Sequence, residues 1–188
     1  DYSGLSVSSA GDVNGDGIDD LIIGANGADP DGNSRAGESY VVYGSDTRSA
    51  SELDLFDLNG TNGFRIDGID ASDYSGGSVS SAGDVNGDGI DDLIIGALGG
   101  DPDGNSQAGE SYVVYGSDTR SAAALDLSDL NGTNGFIING IDAGDRSGVS
   151  VSSAGDVNGD GFDDLIIGAD YADPDGNSQA GESYVVYG

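Results

Sequence analysis

The stretch Asp12-Val13-Asn14-Gly15-Asp16-Gly17-Ile18-Asp19-Asp20-Leu21-Ile22-Ile23-Gly24-Ala25 runs a polar loop straight into a short apolar strand. It returns unchanged at 84–97, and at 156–169 with Phe162 as its one difference. The spacing is 72 residues both times. Its surroundings repeat with it. Ser6, Ser78 and Ser150 open SVSSAG, Asp29, Asp101 and Asp173 open DPDGNS, and Gly37, Gly109 and Gly181 open GESYVVYG. LNGTNGF occurs twice, from Leu58 and Leu130. The chain therefore divides into repeats 1–72, 73–144 and a shortened 145–188. Residues 1–44 differ from 73–116 at four positions, so the copies are close. A repeat of this size is one supersecondary unit that buries its apolar face against a neighbour.

Inside a repeat the apolar pattern is that of strands. Leu21-Ile22-Ile23 is a continuous run bounded by turn residues, and Tyr40-Val41-Val42-Tyr43 is β-branched and aromatic between glycines. Phe64-Arg65-Ile66 follows Asn62-Gly63, and Ser6-Val7-Ser8 is small enough for a strand crowded near an axis. That predicts about four short strands per repeat, with one helical turn at most in 46–58. Four strands in such a unit read as a propeller blade, so the expected fold is all-β. Eleven strands are too few for a closed ring of at least four blades. An incomplete ring is expected, completed by further blades of a longer chain or of another copy.

Composition narrows the chemistry. The net charge is −30, from 35 acidic residues against five arginines, with no Lys, His, Cys, Met or Trp. Leu, Ile, Val and Phe number 41 of 188, about 22%, close to the level at which charged chains stay disordered. Something besides apolar burial is expected to help this chain fold. Without His or Cys there is no zinc centre, thiol nucleophile, disulfide or imidazole base. Without Lys there is no Schiff base and no Walker-type phosphate loop. So negative a field repels nucleic acid and anionic membranes and attracts cations. No apolar run spans a bilayer, and with no basic-apolar leader and no first Met the chain reads as a mature fragment or an excised piece.

The repeated loop is where a cation belongs. Side-chain oxygens stand at loop positions 1, 3, 5 and 9: Asp12, Asn14, Asp16 and Asp20; Asp84, Asn86, Asp88 and Asp92; Asp156, Asn158, Asp160 and Asp164. Position 6 is a glycine that permits a sharp turn, and position 7 (Ile18, Ile90, Phe162) offers a backbone carbonyl. Oxygen donors on alternate residues suit a hard cation such as Ca²⁺, giving an expectation of about three ions, one per repeat. The bland reading is an Asp/Asn/Gly turn that binds nothing, and three copies at one spacing argue against it. An EF-hand or a dockerin would need an acidic residue at position 12. That position holds Ile23, Ile95 or Ile167, inside a predicted strand.

With an apolar strand following position 9, the sequence resembles the FG-GAP repeats of the integrin α-subunit β-propeller and its bacterial relatives. The loop followed by Asp-Leu-Ile-Ile-Gly-Ala carries the match. The aromatic-Gly pair of that family is replaced by Tyr2-Ser3-Gly4, Tyr74-Ser75-Gly76 and Arg146-Ser147-Gly148. Its Gly-Ala-Pro becomes Gly24-Ala25-Asn26, Gly96-Ala97-Leu98 and Gly168-Ala169-Asp170. The resemblance implies adhesion, or recognition of a protein or carbohydrate ligand, by an extracellular or cell-surface protein. Calcium would then be structural. The alternative is a calcium-rigidified spacer or self-assembling scaffold with no ligand of its own.

Weaker features have two readings each. Asp29, Asp31 and Asn33, with Asp101, Asp103, Asn105 and Asp173, Asp175, Asn177, form either a second calcium site or a Pro-Asp-Gly turn. Asn59-Gly60-Thr61 and Asn131-Gly132-Thr133 are glycosylation sequons or tight turns. The paired tyrosines at 40 and 43, 112 and 115, 184 and 187 read as blade packing rather than a binding surface. The five arginines are scattered and predict no carboxylate or phosphate clamp. Most carboxylates recur once per repeat, whereas catalysis needs one unique centre, so no enzyme is expected. The copies differ mainly at Leu5/Gly77/Val149, Asn26/Leu98/Asp170 and Gly27/Gly99/Tyr171.

Overall fold

The computed structural model describes residues 1–47 and 52–188. The first sheet holds β1 (Ser6–Gly11), β2 (Asp20–Ala25), β3 (Glu38–Val42) and β4 (Gly63–Asp67). The second holds β5 (Ser78–Gly83), β6 (Asp92–Ala97), β7 (Glu110–Val114) and, after a short β8 (Ala124–Asp126), β9 (Gly135–Asn139). The third holds β10 (Ser147–Gly155), β11 (Asp164–Ala169) and β12 (Glu182–Val186). Each blade is an antiparallel meander, the first sheet gaining β8 as a fifth, parallel strand, and no closed barrel forms among the described residues. The architecture is all-β, three blades of an open propeller.

Eleven strands are expected from the repeat, and β8 is the extra one. It leaves its own repeat and pairs in parallel with the outer strand of the preceding blade, Ile66 facing Leu125. The backbone N–H of Arg65 also reaches the Ala123 carbonyl, at 2.9 Å. The helical turn expected in 46–58 is a 3-10 turn at Leu55–Asp57, capped by the Asp54 carboxylate on the Phe56 N–H. Residues 48–51 of that window lie outside the described residues.

Two of the three core clusters lie between blades, and the third, around Tyr40, Val42 and Leu58, lies within the first repeat. Ile22, Val41, Phe64 and Ile66 of the first blade pack on Val79, Leu93, Ile95 and Tyr112 of the second. Ile94 and Val113 of the second pack on Val151, Leu165 and Ile167 of the third. This explains why Asp-Leu-Ile-Ile-Gly-Ala is a continuous apolar run: in β6, with a blade on either side, every residue is buried. At the ends of the stack the same side chains lack a partner. Val79 is 5% exposed and its equivalent Val7 65%; Val113 is 0% exposed and its equivalent Val185 48%. Burying such a side chain contributes about 1.5–3 kcal/mol, so the seams between blades are where the fold's stability accumulates.

Small residues make the seams close. A Cβ on Gly24 would lie 2.0 Å from the Gly76 carbonyl oxygen, and one on Gly96 2.0 Å from that of Gly148. The serines of the inner strands join blades as well. Ser6 Oγ accepts from the Val79 N–H at 3.1 Å, and Ser78 Oγ from the Val151 N–H at 3.1 Å. Small polar residues in β1, β5 and β10 thus let adjacent inner strands meet.

Candidate metal centre

Each Asp-Val-Asn-Gly-Asp-Gly loop joins the first two strands of its blade, and its conformation follows from its letters. Gly17, at φ +85°, takes the left-handed turn that residues with a Cβ avoid. Asp12 Oδ2 accepts the Gly17 N–H at 2.8 Å and Oδ1 accepts the Asp16 N–H at 3.0 Å. Asn14 Oδ1 also accepts from Asp16, at 2.9 Å, and Asp16 Oδ1 accepts from Ile18, at 2.9 Å. Side-chain oxygens thereby fold the loop over themselves, the local bonding that Asp and Asn prefer to regular structure. The second and third loops repeat the pattern. Asp84 accepts from Asp88 and Gly89, and Asp156 from Asp160 and Gly161.

The ninth residue differs from the others. Asp20, Asp92 and Asp164 begin the second strand of each blade and are fully buried. Asp20 accepts from Val13 N–H at 3.0 Å and Gly44 N–H at 2.7 Å; Asp92 accepts from Val85 at 3.0 Å and Gly116 at 2.9 Å. Asp164 accepts from Val157 at 2.8 Å and Gly188 at 3.1 Å. Each carboxylate therefore ties its loop to the end of the third strand. Burial pushes the Asp20 carboxyl up to about 6 against the pull of its two N–H donors, and the charges of Asp16 and Asp12 add to the rise. Asp92 is pushed up to about 7 by the same causes, with Asp88 and Asp84 as the neighbouring charges.

The loop residues fit a hard cation by this chemistry. Every side-chain donor is oxygen, and a buried carboxylate sits among like charges that a divalent ion would offset. Asp20 accepts two hydrogen bonds, and Asp92 and Asp164 accept a third from Asn86 Nδ2 at 3.5 Å and Asn158 Nδ2 at 3.4 Å, so each position-9 carboxylate still has a lone pair to spare. Among the described residues no three acidic side chains are gathered tightly enough to grip a metal on their own. The set named by the sequence is a mixed one, in which the Asn oxygens and the carbonyls of Ile18, Ile90 and Phe162 would have to complete the carboxylates.

The DPDGN stretches fold as turns. Pro30–Gly32, Pro102–Gly104 and Pro174–Gly176 are 3-10 turns with Asp31, Asp103 and Asp175 left-handed and outside the core. Asp29 Oδ1 closes its turn on the Arg35 N–H at 2.7 Å, and Asp101 closes its own on Gln107 at 2.6 Å. Asn33 Nδ2 donates to the Ile69 carbonyl at 2.9 Å. The sequon asparagines also hold turns, since Asn59 and Asn131 accept the N–H groups of Thr61 and Thr133 at 3.0 Å. Tyr40, Tyr43 and Tyr112 are buried as blade packing, whereas Tyr187 on the open face is exposed.

One expectation about arginine is corrected. Arg65 does form a carboxylate clamp, with Nε 2.5 Å and Nη2 2.8 Å from the two oxygens of Asp67. Residues two apart share a face of β4, which brings this pair together. The second blade has Ile137 and Asn139 at these places, so the clamp is not repeated.

Sequence reasoning also passed over the acids of the leading turns. Asp73 is buried and accepts the Asp70 N–H at 3.2 Å. Burial, then Glu110, Asp70 and Asp101, push its carboxyl up to about 6. A carboxyl raised in the folded state binds protons that the unfolded chain, with its ordinary value near 3.9, has already released. Stability is then greatest below about pH 4 as far as this group is concerned, and it falls as pH rises from there to about 6. Chelator-treated protein is expected to lose about 1–3 kcal/mol from this group between pH 4 and 7. Urea midpoints across that range check it, and Asp73→Asn should make the slope shallower, Asp20 and Asp92 supplying the remainder. An unchanged slope in the variant would remove Asp73 as the cause.

At the end of the blade opposite the Asp-rich loops, Tyr2, Leu5, Asn26, Arg35 and Tyr74 line a hollow of about 380 Å³. A Cβ on Gly77 would lie 3.6 Å from Asn26 Nδ2 and 3.8 Å from Leu98 Cδ2. Positions that vary between copies therefore converge here. Arg146 stacks 4.0 Å over the ring of Tyr171 in the corresponding part of the third blade.

Comparison with known proteins follows the same blades. The FG-GAP repeat family model matches residues 3–42, 75–114 and 147–186. Integrin alpha pat-2 of Caenorhabditis elegans is 34% identical across all of this chain and 14% of its own length. Integrin alpha-PS2 of Drosophila melanogaster is 32% identical across all of this chain and 12% of its own. Phosphatidylinositol-glycan-specific phospholipase D of Bos taurus is 33% identical across 95% of this chain and 20% of its own. The chain thus spans a fifth or less of these relatives.

Proposed function

Because the chain belongs to the FG-GAP repeat family, we propose that it is a calcium-binding β-propeller module of an extracellular or cell-surface protein, serving adhesion or ligand recognition. The observation that carries this is the oxygen-only loop, present three times, folded around a buried aspartate. Asp12, Asn14, Asp16, Ile18 and Asp20 would hold the first ion. Asp84, Asn86, Asp88, Ile90 and Asp92 would hold the second, and Asp156, Asn158, Asp160, Phe162 and Asp164 the third. The bound ion supplies positive charge and coordination. The residues themselves pin the loop between the first two strands and tie it to the third. Three ions would bring the net charge from −30 to about −24.

Extracellular calcium modules bind with dissociation constants of about 10⁻⁴–10⁻³ M, which matches a surface location. The open blade faces are proposed to pack on further blades, from the same longer chain or from self-association. The hollow at the opposite end is where a protein or carbohydrate ligand would sit. No catalytic role is assigned, because the acidic groups recur blade by blade. Among the described residues no helix is long and apolar enough to cross a membrane. A spacer with no ligand is the second reading, favoured by the near-identity of the copies. A ligand that protects Tyr2 and Tyr74 from solvent labelling would decide against the spacer.

Calorimetric titration of Ca²⁺ into chelator-treated protein is expected to give about three ions per chain. Six would bring in the DPDGN turns. No binding at millimolar calcium would overturn the reading.

A further inference from the structure

Loop position 8 has no part in the ligand set, yet it is aspartate in all three copies. Asp91 of the second loop leaves its own blade and accepts the backbone N–H of Asp12 at 2.8 Å, while its own N–H donates to the Asp12 carbonyl at 3.2 Å. Asp163 treats Asp84 in the same way, at 3.0 and 3.1 Å. Space is kept for this contact, since a Cβ on Gly11 would lie 2.2 Å from Asp91 Oδ2 and one on Gly83 2.0 Å from Asp163 Oδ2. The neighbouring residue joins in. The Ile90 side chain packs on Gly15 of the first loop, and Phe162 packs on Gly87 of the second. Asp19, at the same position in the first loop, is exposed.

We infer that Asp91 and Asp163 couple adjacent cation loops, so that an ion in one loop raises the affinity of the next. The inference rests on the calcium reading above. Asp91 stands between Ile90 and Asp92, at positions 7 and 9 of its own loop, and grips position 1 of the loop before it. Ordering either loop therefore fixes a residue of the other, and the second ion meets a loop whose conformational entropy is already reduced. Such coupling is reciprocal and typically amounts to about 5- to 150-fold in affinity. These two aspartates are positioning residues, acting through the backbone of Asp12 and Asp84.

The same calorimetric titration tests this apart from the calcium reading, because stoichiometry reports the sites and the steepness of the isotherm reports the coupling. Chelator-treated protein is expected to bind three ions with a Hill coefficient above 1. Asp91→Ala with Asp163→Ala should still bind three, at a coefficient near 1, with later steps weakened about fivefold or more. Asp19→Ala should titrate like the parent. Asp91→Asn with Asp163→Asn keeps an oxygen for the N–H groups of Asp12 and Asp84, so it should restore the steep isotherm. This restoration separates coupling from a general loosening of the seam, even if the alanine variant folds poorly. Three equal, independent sites in the parent would overturn the coupling and leave the calcium reading standing. Equal flattening by Asp19→Ala, or no recovery with asparagine, would also overturn it. No binding in the parent would overturn both.

Discussion

Gly96→Ala is expected to destabilise the chain by about 3–5 kcal/mol, while Gly168→Ala, the same substitution one repeat later, should change it by no more than about 0.5 kcal/mol. The two glycines occupy equivalent places in identical strands. At Gly96 a new Cβ would lie 2.0 Å from the carbonyl oxygen of Gly148, with the carbonyl carbon 2.9 Å away. Both belong to backbone, so no rotamer change relieves the overlap, and blade three must move off blade two. That movement loosens Val113, Ile94, Val151 and Leu165 together. At Gly168 the nearest atom is the Ser150 Cβ at 3.7 Å, an ordinary contact. Denaturant midpoints of the two variants measure the difference. Equal losses would mean that strand propensity, not the seam, decides stability here.

Calcium should have the other large effect. An ion that binds only the folded chain stabilises it by mass action. At 10 mM calcium, with dissociation constants of about 10⁻⁴–10⁻³ M, each loop contributes about 1.4–2.7 kcal/mol. Three loops together give about 4–8 kcal/mol, or a rise of about 10–30 °C in Tm for a chain of this length. The effect on stability is therefore comparable to total loss of a seam contact such as that at Gly96. Magnesium should do much less, because it demands an octahedral shell and releases water reluctantly. Differential scanning calorimetry in chelator, magnesium and calcium at one ionic strength gives the comparison. Equal rises in the two cations would point to general screening of the negative charge.

The parts of this structure that are local in sequence could be read from sequence. The strands around Ile22, Val41 and Phe64 were visible because their apolar runs are bounded by Gly, Asn and Asp. The Asp-Val-Asn-Gly-Asp-Gly loops were visible as loops because their Asp, Asn and Gly residues sit within nine positions ahead of an apolar strand. What could not be read depends on contacts about a repeat apart. Asp91 looks like one more loop carboxylate until Asp12 is seen beside it. β8 is a three-residue strand whose partner, β4, lies in the previous repeat. The clamp between Arg65 and Asp67 is local, since alternate strand residues share a face, but it occurs in one repeat only and so leaves no periodic trace. The burial of Asp73 needed knowledge of the neighbouring blade, which no local pattern supplies.

The seams also bear on how such a gene can change. The Gly24–Gly76 and Gly96–Gly148 junctions are equally close, each leaving a would-be Cβ 2.0 Å from the facing carbonyl oxygen, and Asp12–Asp91 matches Asp84–Asp163. Any unequal crossover that adds or removes 72 residues in register joins one trailing surface to an equivalent leading surface. The fused protein meets no new interface, and an array can lengthen or shorten across generations without a misfolded intermediate length.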